Sequence, residues 1–457
     1  MTSAKVITQQ LAEFATALSY DDLPPEVPQR ARDLTIDFIG SIVRAGAEAN
    51  STRALLGMVS RLGLDGPGQS TVFGLNRRYP PAIAALINGM LGHSLDFDDT
   101  HSDRSTHPSA PVVPAALAAA EITGASGRDL LAAIVAGYEV MLRVANALDP
   151  TAHYARGFHP TATTGVFGAA AAAGRIFGLD AKQMTSAFGV AASQAAGSLQ
   201  FLVNGAWNKR HQVGAAAMNG LIAASLAREN FVGASEAIEG KHGLLVGYTD
   251  DPHPERAVAG LGTVWETTKI GLKPYPACRY THAAVDGLIA LRAEKGLTPD
   301  HVRGLRVGLH QNGITLTGAP LAEKRRAKTI VEGQFSMPFA AAVALTLGRF
   351  GWDDYDQLGK PNIEALCDRI DVVRDESLEG LRHPFGATLA VETPDGVIER
   401  RIPDPSGEPD TFPTPDALAA KFETLAGPVL NDGAAALHRR LLNLAEMETV
   451  RGLDDAA

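Results

Sequence analysis

The sequence predicts a mostly α-helical protein: a large all-helical domain with a smaller α+β lid domain inserted near its C-terminal end. Three observations predict it. Apolar residues recur at three- and four-residue spacing through the first two thirds of the chain. Three segments crowded with Ala and Gly lie in that region. Beyond about residue 270 the pattern changes to period two, broken by Pro and Gly turns.

The chain has 457 residues, more than the roughly 250–300 at which one hydrophobic core stops growing, so two domains are expected. Ala31, Leu34, Phe38 and Ile42 follow the Pro24, Pro25 and Pro28 breakers at helical spacing and predict an amphipathic helix. Pro80 and Pro81 open another, running to about Leu91. Ser126 is a candidate N-cap for a helix over 128–148 that is apolar nearly all round and therefore buried. The Ala/Gly-rich segments at 161–177, 181–196 and 212–228 predict helices whose backbones approach closely. Interior glycine costs a helix roughly 1 kcal/mol, which close packing has to offset.

In the later region Leu305, Val307 and Leu309 alternate with Arg306, Gly308 and His310 and predict a strand. Ala387, Leu389 and Val391 alternate again, and Pro394-Asp395-Gly396 turns the chain into residues 397–402, a hairpin. Residues 334–347 and 363–369 read as helices between these strands. A Pro-rich stretch at 403–415 precedes a last helical segment over 416–448. The expected division is 1–268 and 405–457 for the helical domain and 269–404 for the lid.

Composition narrows the function. With 45% hydrophobic and 20% charged residues the chain is a packed globular protein. The formal charge of -10 argues against nucleic-acid binding, since no basic face is apparent and the cluster at 323–328 reads as solvated. No uninterrupted apolar run of about 18 residues occurs, so no membrane span is expected. The start Met-Thr-Ser-Ala-Lys has no secretory apolar core, and two cysteines, Cys278 and Cys367, give no disulfide framework. A cytoplasmic protein is expected.

The densest polar run, residues 93–107, packs Asp96, Asp98, Asp99 and Asp103 with His93, His101 and His107. An EF-hand loop starting at Asp96 would need Gly at its sixth position and Glu at its twelfth, but has His101 and His107. No HExxH or Cys-based zinc pattern occurs. A catalytic loop is preferred to a metal site or a solvated acidic loop. His159 precedes Pro160 and Thr161 at a helix start, where an anion would meet backbone N–H groups and an imidazole. Lys209 and Arg210 stand just before the apolar helix from Val213. Lys273 opens a run at the start of the inserted domain, and a lysine beside other cations in a partly dry cleft is suited to proton abstraction. Cys278, near Lys273, Arg279 and His282, lacks the sequence context of a known nucleophile.

The segments HSLDFDDT (93–100) with HPS (107–109), GFHPT (157–161), Lys209-Arg210, EGKHGLL (239–245) and KPYPACRYTH (273–282), in this order, resemble the MmgE/PrpD superfamily. The resemblance runs essentially end to end. It implies a two-domain enzyme, usually a homodimer, that uses no metal or redox cofactor and acts on di- or tricarboxylates. Members include 2-methylcitrate dehydratase, cis-aconitate decarboxylase and iminodisuccinate epimerase. Carried over residue by residue, the family's site residues are Asp96, Thr100, His107, His159, Lys209 and Lys273. Tyr154 matches a tyrosine proposed as a base in the epimerase branch. His159, Lys209 and Arg210 are then expected to bind carboxylates, Lys273 or Tyr154 to abstract a proton, and His107 with Asp96 to protonate a leaving hydroxyl.

Dehydration of a 2-methylcitrate-like hydroxy acid is the preferred expectation. An epimerase using Tyr154 and Lys273 is the alternative. A decarboxylase is placed lower, because Phe339 stands where that branch has Tyr and Gln212 where a His is often found. A carboxylate-binding protein without turnover is the remaining reading. The loop between Thr100 and His107 is one residue longer than the resemblance expects.

Overall fold

The computed structural model describes residues 6–379 and 385–455. The Met-Thr-Ser-Ala-Lys start, read above for a secretory signal, lies outside them. In chain order the helices used below are α1 (Ile7–Ala17), α2 (Glu26–Glu48), α3 (Thr52–Arg61), α4 (Pro81–Gly92), α5 (Ser109–Thr123), α6 (Gly127–Ala147), α7 (Pro150–Ala155), α8 (Pro160–Ile176), α9 (Ala181–Ala192), α10 (Asn208–Arg228), α11 (Leu244–Tyr248), α12 (His282–Lys295), α13 (Met337–Leu347), α14 (Pro361–Cys367), α15 (Pro415–Leu430) and α16 (Asp432–Leu442). The strands are β1 (Ser70–Thr71), β2 (Arg78–Tyr79), β3 (Gly304–Leu309), β4 (Ile370–Arg374), β5 (Ala387–Thr393) and β6 (Gly396–Ile402). The protein is mostly α-helical, with a smaller α+β part. It divides into two compact units, Met1–Gly271 with Thr414–Ala457, and Leu272–Pro413.

The first unit is helical around α4, α5, α6, α8 and α10, which pack on one another. Helix α6 starts where Ser126 Oγ accepts the N–H of Asp129, as the sequence led us to expect. It is long and apolar enough to cross a membrane, yet 94% of its most apolar window is buried inside the protein, so it is a core helix. The Ala/Gly-rich segments form α8, α9 and α10, and they pack as closely as their composition requires. A methyl group on Gly89 of α4 would stand 2.8 Å from the Cα of Gly214 on α10. One on Gly214 would stand 2.5 Å from the carbonyl oxygen of Leu86. Here two helix backbones touch, and only glycine permits it.

A buried ion pair ties α15 to α2 in this core. Lys421 of α15 places Nζ 2.6 Å from Oδ1 of Asp37 on α2, donates to the carbonyl of Phe97 at 2.8 Å, and sits 3.9 Å from the centre of the Phe97 ring. Burial raises the Asp37 carboxyl to about 6 against the opposing pull of Lys421.

The second unit is built on a four-stranded sheet ordered β4-β3-β5-β6. The hairpin of β5 and β6 pairs Val391 with Ile398, and β3 runs antiparallel to β5 with Val307 opposite Leu389. Strand β4 runs parallel to β3 with Val307 opposite Val372, a pairing that residues 370–374 do not announce in sequence. The expected helix at 334–347 is broken. Ser336 Oγ accepts from Phe339 N–H and starts α13 there. The last helical segment is likewise two helices, parted by Asn431 at φ 51°. Both cysteines are reduced and buried, and burial pushes the Cys367 thiol up to about 12.

Candidate active site

Helix α4 is buried on nearly every side and ends at His93, which delivers the acidic run into the interior of the first unit. Each carboxylate there has its own task. Asp98 Oδ2 takes the Nδ1 proton of His93 at 2.6 Å. Asp99 accepts from the backbone N–H of Ser109 at 3.0 Å and from its hydroxyl at 2.9 Å, fastening the start of α5, while Ser109 Oγ also meets Tyr138 OH at 2.6 Å. Asp96, at φ 53°, pairs with Lys209 Nζ at 2.6 Å. Asp103 lies in the short 3-10 turn Ser102–Arg104 instead.

The chain between Thr100 and His107 folds around that turn. His101 and Thr106 pair across it, and Ser105 takes φ 50°. His107 is thereby returned to the site. Its Nδ1 donates to the carbonyl of Asp99 at 2.7 Å, with Thr100 Oγ1 at 3.4 Å, and its backbone N–H donates to Thr161 Oγ1 at 3.2 Å. Thr100 is tied by a pair of backbone bonds to Gly271, 2.9 and 2.8 Å.

His159 caps α8, with Pro160 in the first turn as expected. Its backbone N–H donates to the carbonyl of Gly197 at 3.0 Å. Its Nδ1 lies 3.1 Å from Gln212 Oε1, on the first turn of α10 beside Lys209. The three imidazoles form one group, with ring centres 4.9 Å apart for His93 and His107 and 6.2 Å for His93 and His159. Burial lowers the His93 value, and the Lys209 charge adds to that while Asp98 opposes it. Burial also drives His159 well below the usual histidine range, helped by His93, Lys209 and His107. Burial and the neighbouring Asp98 charge push the Asp99 carboxyl well up.

The first unit thus brings together Asp96, Thr100, His107, His159 and Lys209. Arg210 turns its guanidinium to Ser51 Oγ at 3.0 Å. Tyr154 stands on α7, half-buried, five residues before His159. Lys273 belongs to the second unit, where it is buried. Its segment is pinned by the Leu272 N–H donating to the Gly407 carbonyl at 2.8 Å and by Arg279 donating to Glu408 at 2.6 and 3.0 Å. Phe339 is also in the second unit, stacked on Tyr355 and edge-on to Phe350.

Two groups escaped the sequence reading. His93 and Asp98 form a buried dyad whose outward atom, His93 Nε2, has no hydrogen-bond partner. Gln212 registered only as a departure from a family pattern, although it touches His159. A His and an Asp five residues apart beyond a buried helix were the available signal for the dyad. The donor atoms of His93, Asp98 and His107 lie within 4.8 Å of one another. Within this set both Nδ1 atoms are engaged, that of His93 by the Asp98 carboxylate and that of His107 by the Asp99 carbonyl.

Chemically, the site joins a partly accessible ammonium, 21% exposed at the side chain, to the imidazoles of His93 and His159, whose neutral form burial favours. It can attract an anion and exchange protons with it.

The chain is similar over most of its length to known proteins. A cis-aconitate decarboxylase-like protein of Aspergillus oryzae is 29% identical over 93% of this chain and 91% of its own length. A cis-aconitate decarboxylase of Aspergillus terreus is 28% identical over 93% and 90%. The human cis-aconitate decarboxylase is 28% identical over 80% and 76%. The MmgE/PrpD N-terminal domain model matches residues 9–257 and the MmgE/PrpD C-terminal domain model residues 275–445. The chain is therefore a member of the MmgE/PrpD family.

Proposed function

We propose that the protein is a lyase acting on a small di- or tricarboxylate by proton transfer at the carbon next to a carboxylate. The observation that carries this reading is the Lys209 ammonium, held 2.6 Å from Asp96 beside the buried imidazoles of His93 and His159 and the half-buried one of His107. Removing a proton α to a carboxylate builds enediolate charge, which needs a positioned acceptor for the proton and a cation for the charge. Lys209 supplies the cation. His107 and His159 flank it, and Tyr154 and Lys273 are the further proton-transfer groups that the family resemblance supplies.

Two leaving groups fit. Loss of water from a 2-methylcitrate-like hydroxy acid is one, and Phe339 and Gln212, which depart from the decarboxylase pattern, favour it. Loss of carbon dioxide is the other, and the names of the relatives favour it. One experiment tests the whole reading: a panel of di- and tricarboxylates, including 2-methylcitrate and cis-aconitate, incubated in deuterated buffer and followed by proton NMR. A new vinyl signal with loss of the hydroxy acid marks dehydration. Carbon dioxide release marks decarboxylation, and exchange with inversion but no alkene marks epimerisation. A panel that binds without exchange or turnover sinks the lyase reading in favour of a carboxylate-binding protein.

We further propose a homodimer in solution. Exposed Leu202, Val203, Trp207, Phe231 and Val232 of the first unit support it, since such residues are ordinarily covered. A monomeric mass in sedimentation equilibrium would contradict it.

A further inference from the structure

We infer that Gln212 fixes His159 as its Nδ1–H tautomer, so that His159 meets the substrate as a hydrogen-bond acceptor and base through Nε2. The inference rests on the site assigned above and changes one expected role, since His159 was read from the sequence as a carboxylate binder. A neutral imidazole without a proton on its outward nitrogen cannot donate to a carboxylate.

The argument begins with the amide. Gln212 Nε2 lies 2.9 Å from the carbonyl oxygen of Ser198, which can only accept. The amide nitrogen must therefore face Ser198 and the amide oxygen must face His159, at 3.1 Å. An oxygen that only accepts requires the proton on Nδ1. The same short segment holds both partners, because Gly197 accepts the His159 backbone N–H and Ser198 accepts from Gln212. Gly197 is needed there. A Cβ on it would stand 2.8 Å from Ala162 Cβ and 3.4 Å from Gln212 Oε1. Gln212 also rides on the same helical turn as Lys209, three residues apart, so the group that sets the tautomer and the group that draws in an anion move as one body.

The surroundings keep His159 neutral until something changes. Facing it are His93 with Asp98 behind it, His107, Lys209 with its partner Asp96, the uncharged Gln212, and the edge of the Phe201 ring. When a proton leaves a substrate C–H bond, the electron pair stays on carbon as the enediolate and the proton goes to Nε2. The resulting imidazolium keeps its Nδ1–H bond to Gln212, so no rearrangement accompanies the transfer. Gln212 itself never touches substrate in this scheme and is a positioning residue.

The test is two-bond 15N–1H NMR on histidine-labelled protein, with His159 identified by its loss in His159→Asn. The expected result is the Nδ1–H tautomer, titrating well below pH 6.5. In Gln212→Glu a carboxylate beside Nδ1 favours the imidazolium, and the midpoint should rise by at least one pH unit. In Gln212→Leu, which cannot accept a bond, the two tautomers should mix. An Nε2–H tautomer in the unmodified protein overturns the inference, as does an unmoved midpoint in the Glu variant. Should Gln212→Glu not fold, the Leu variant decides by its tautomer ratio: a mixture supports the inference and an unchanged single tautomer sinks it. These readouts need no turnover, so a carboxylate panel without reaction would remove the lyase reading while leaving the tautomer assignment standing.

Discussion

Lys209 and Asp96 meet at 2.6 Å although Asp96 pays for the contact with a left-handed backbone angle, φ 53°. Such an angle costs a non-glycine residue on the order of 1–3 kcal/mol and persists where the surroundings over-determine it, commonly at functional sites. Asn tolerates the same angle, so Asp96→Asn should fold normally and keep a neutral hydrogen bond while leaving the ammonium without its counter-charge. We expect turnover of the best panel substrate to fall about 100-fold or more with little change in Tm. Turnover within threefold of the parent would show that the pair is only structural.

The His93–Asp98 dyad makes a sharper prediction. In Asp98→Asn the amide can turn its NH2 toward His93 and move the imidazole proton to Nε2. Activity should drop by about 10²–10⁴-fold with the fold intact by circular dichroism. The NMR spectrum should show the altered tautomer for His93 while that of His159 is unchanged.

Lys273→Ala should slow exchange of the substrate α-hydrogen with deuterated solvent by about 10-fold or more, His159 remaining as an acceptor, while leaving the melting transition in place. Tyr154→Phe separates the reactions. It should stop inversion if the protein epimerises, and should spare alkene formation by more than half if Lys273 and the histidine group suffice. Normal exchange by Lys273→Ala would remove that lysine from the chemistry.

Behind the acidic loop, Lys421→Met should destabilise the protein by about 3–5 kcal/mol, because it strands the buried Asp37 carboxylate. Guanidinium unfolding at pH 7.5 measures this. The penalty should shrink at lower pH as Asp37 takes up a proton, and the double change with Asp37→Leu should recover much of the loss.

Glu121 gives the pH dependence its sign. Burial lifts its carboxyl from 4.5 to about 7, against the bonds it accepts from Thr71 and the charge of Arg78. The folded value exceeds the unfolded one, so this contribution to stability is complete below about pH 4.5 and is lost as the pH rises through 7. Glu121→Gln should remove that decline. Thermal melts at pH 5 and pH 8 that show the same difference for parent and variant would refute it.

Much of the helical unit could be read in advance because its signals are local. Ser126 has the side chain of an N-cap, Pro81 and Pro160 stand where helices begin, and the Ala/Gly density of α8 and α10 announces close packing. Strand β4 was missed because its pairing with β3 joins residues some sixty-five positions apart, Val307 to Val372, and its exposed Asp371, Val373 and Arg374 blur the alternation. The break at Asn431 was missed because nothing before it but Pro428 interrupts the helical spacing. At the site, the family motifs pointed to Asp96, Thr100, His107, His159 and Lys209, which lie together in the first unit, whereas Gln212 and Asp98 touch partners 53 and 5 residues away, a relation that local sequence does not display.

The meeting of Gly89 with Gly214 has a consequence for how this protein can be altered. These two residues sit on the very helices that deliver the histidine loop and Lys209, so bare main chain sets the spacing between the imidazoles and the ammonium. Even one methyl group at either place would act as a wedge, and no repacking of side chains could close the gap it opened. A protein of this design can take up new molecules by reshaping the rim of its site, but its charge centre is a fixed gauge.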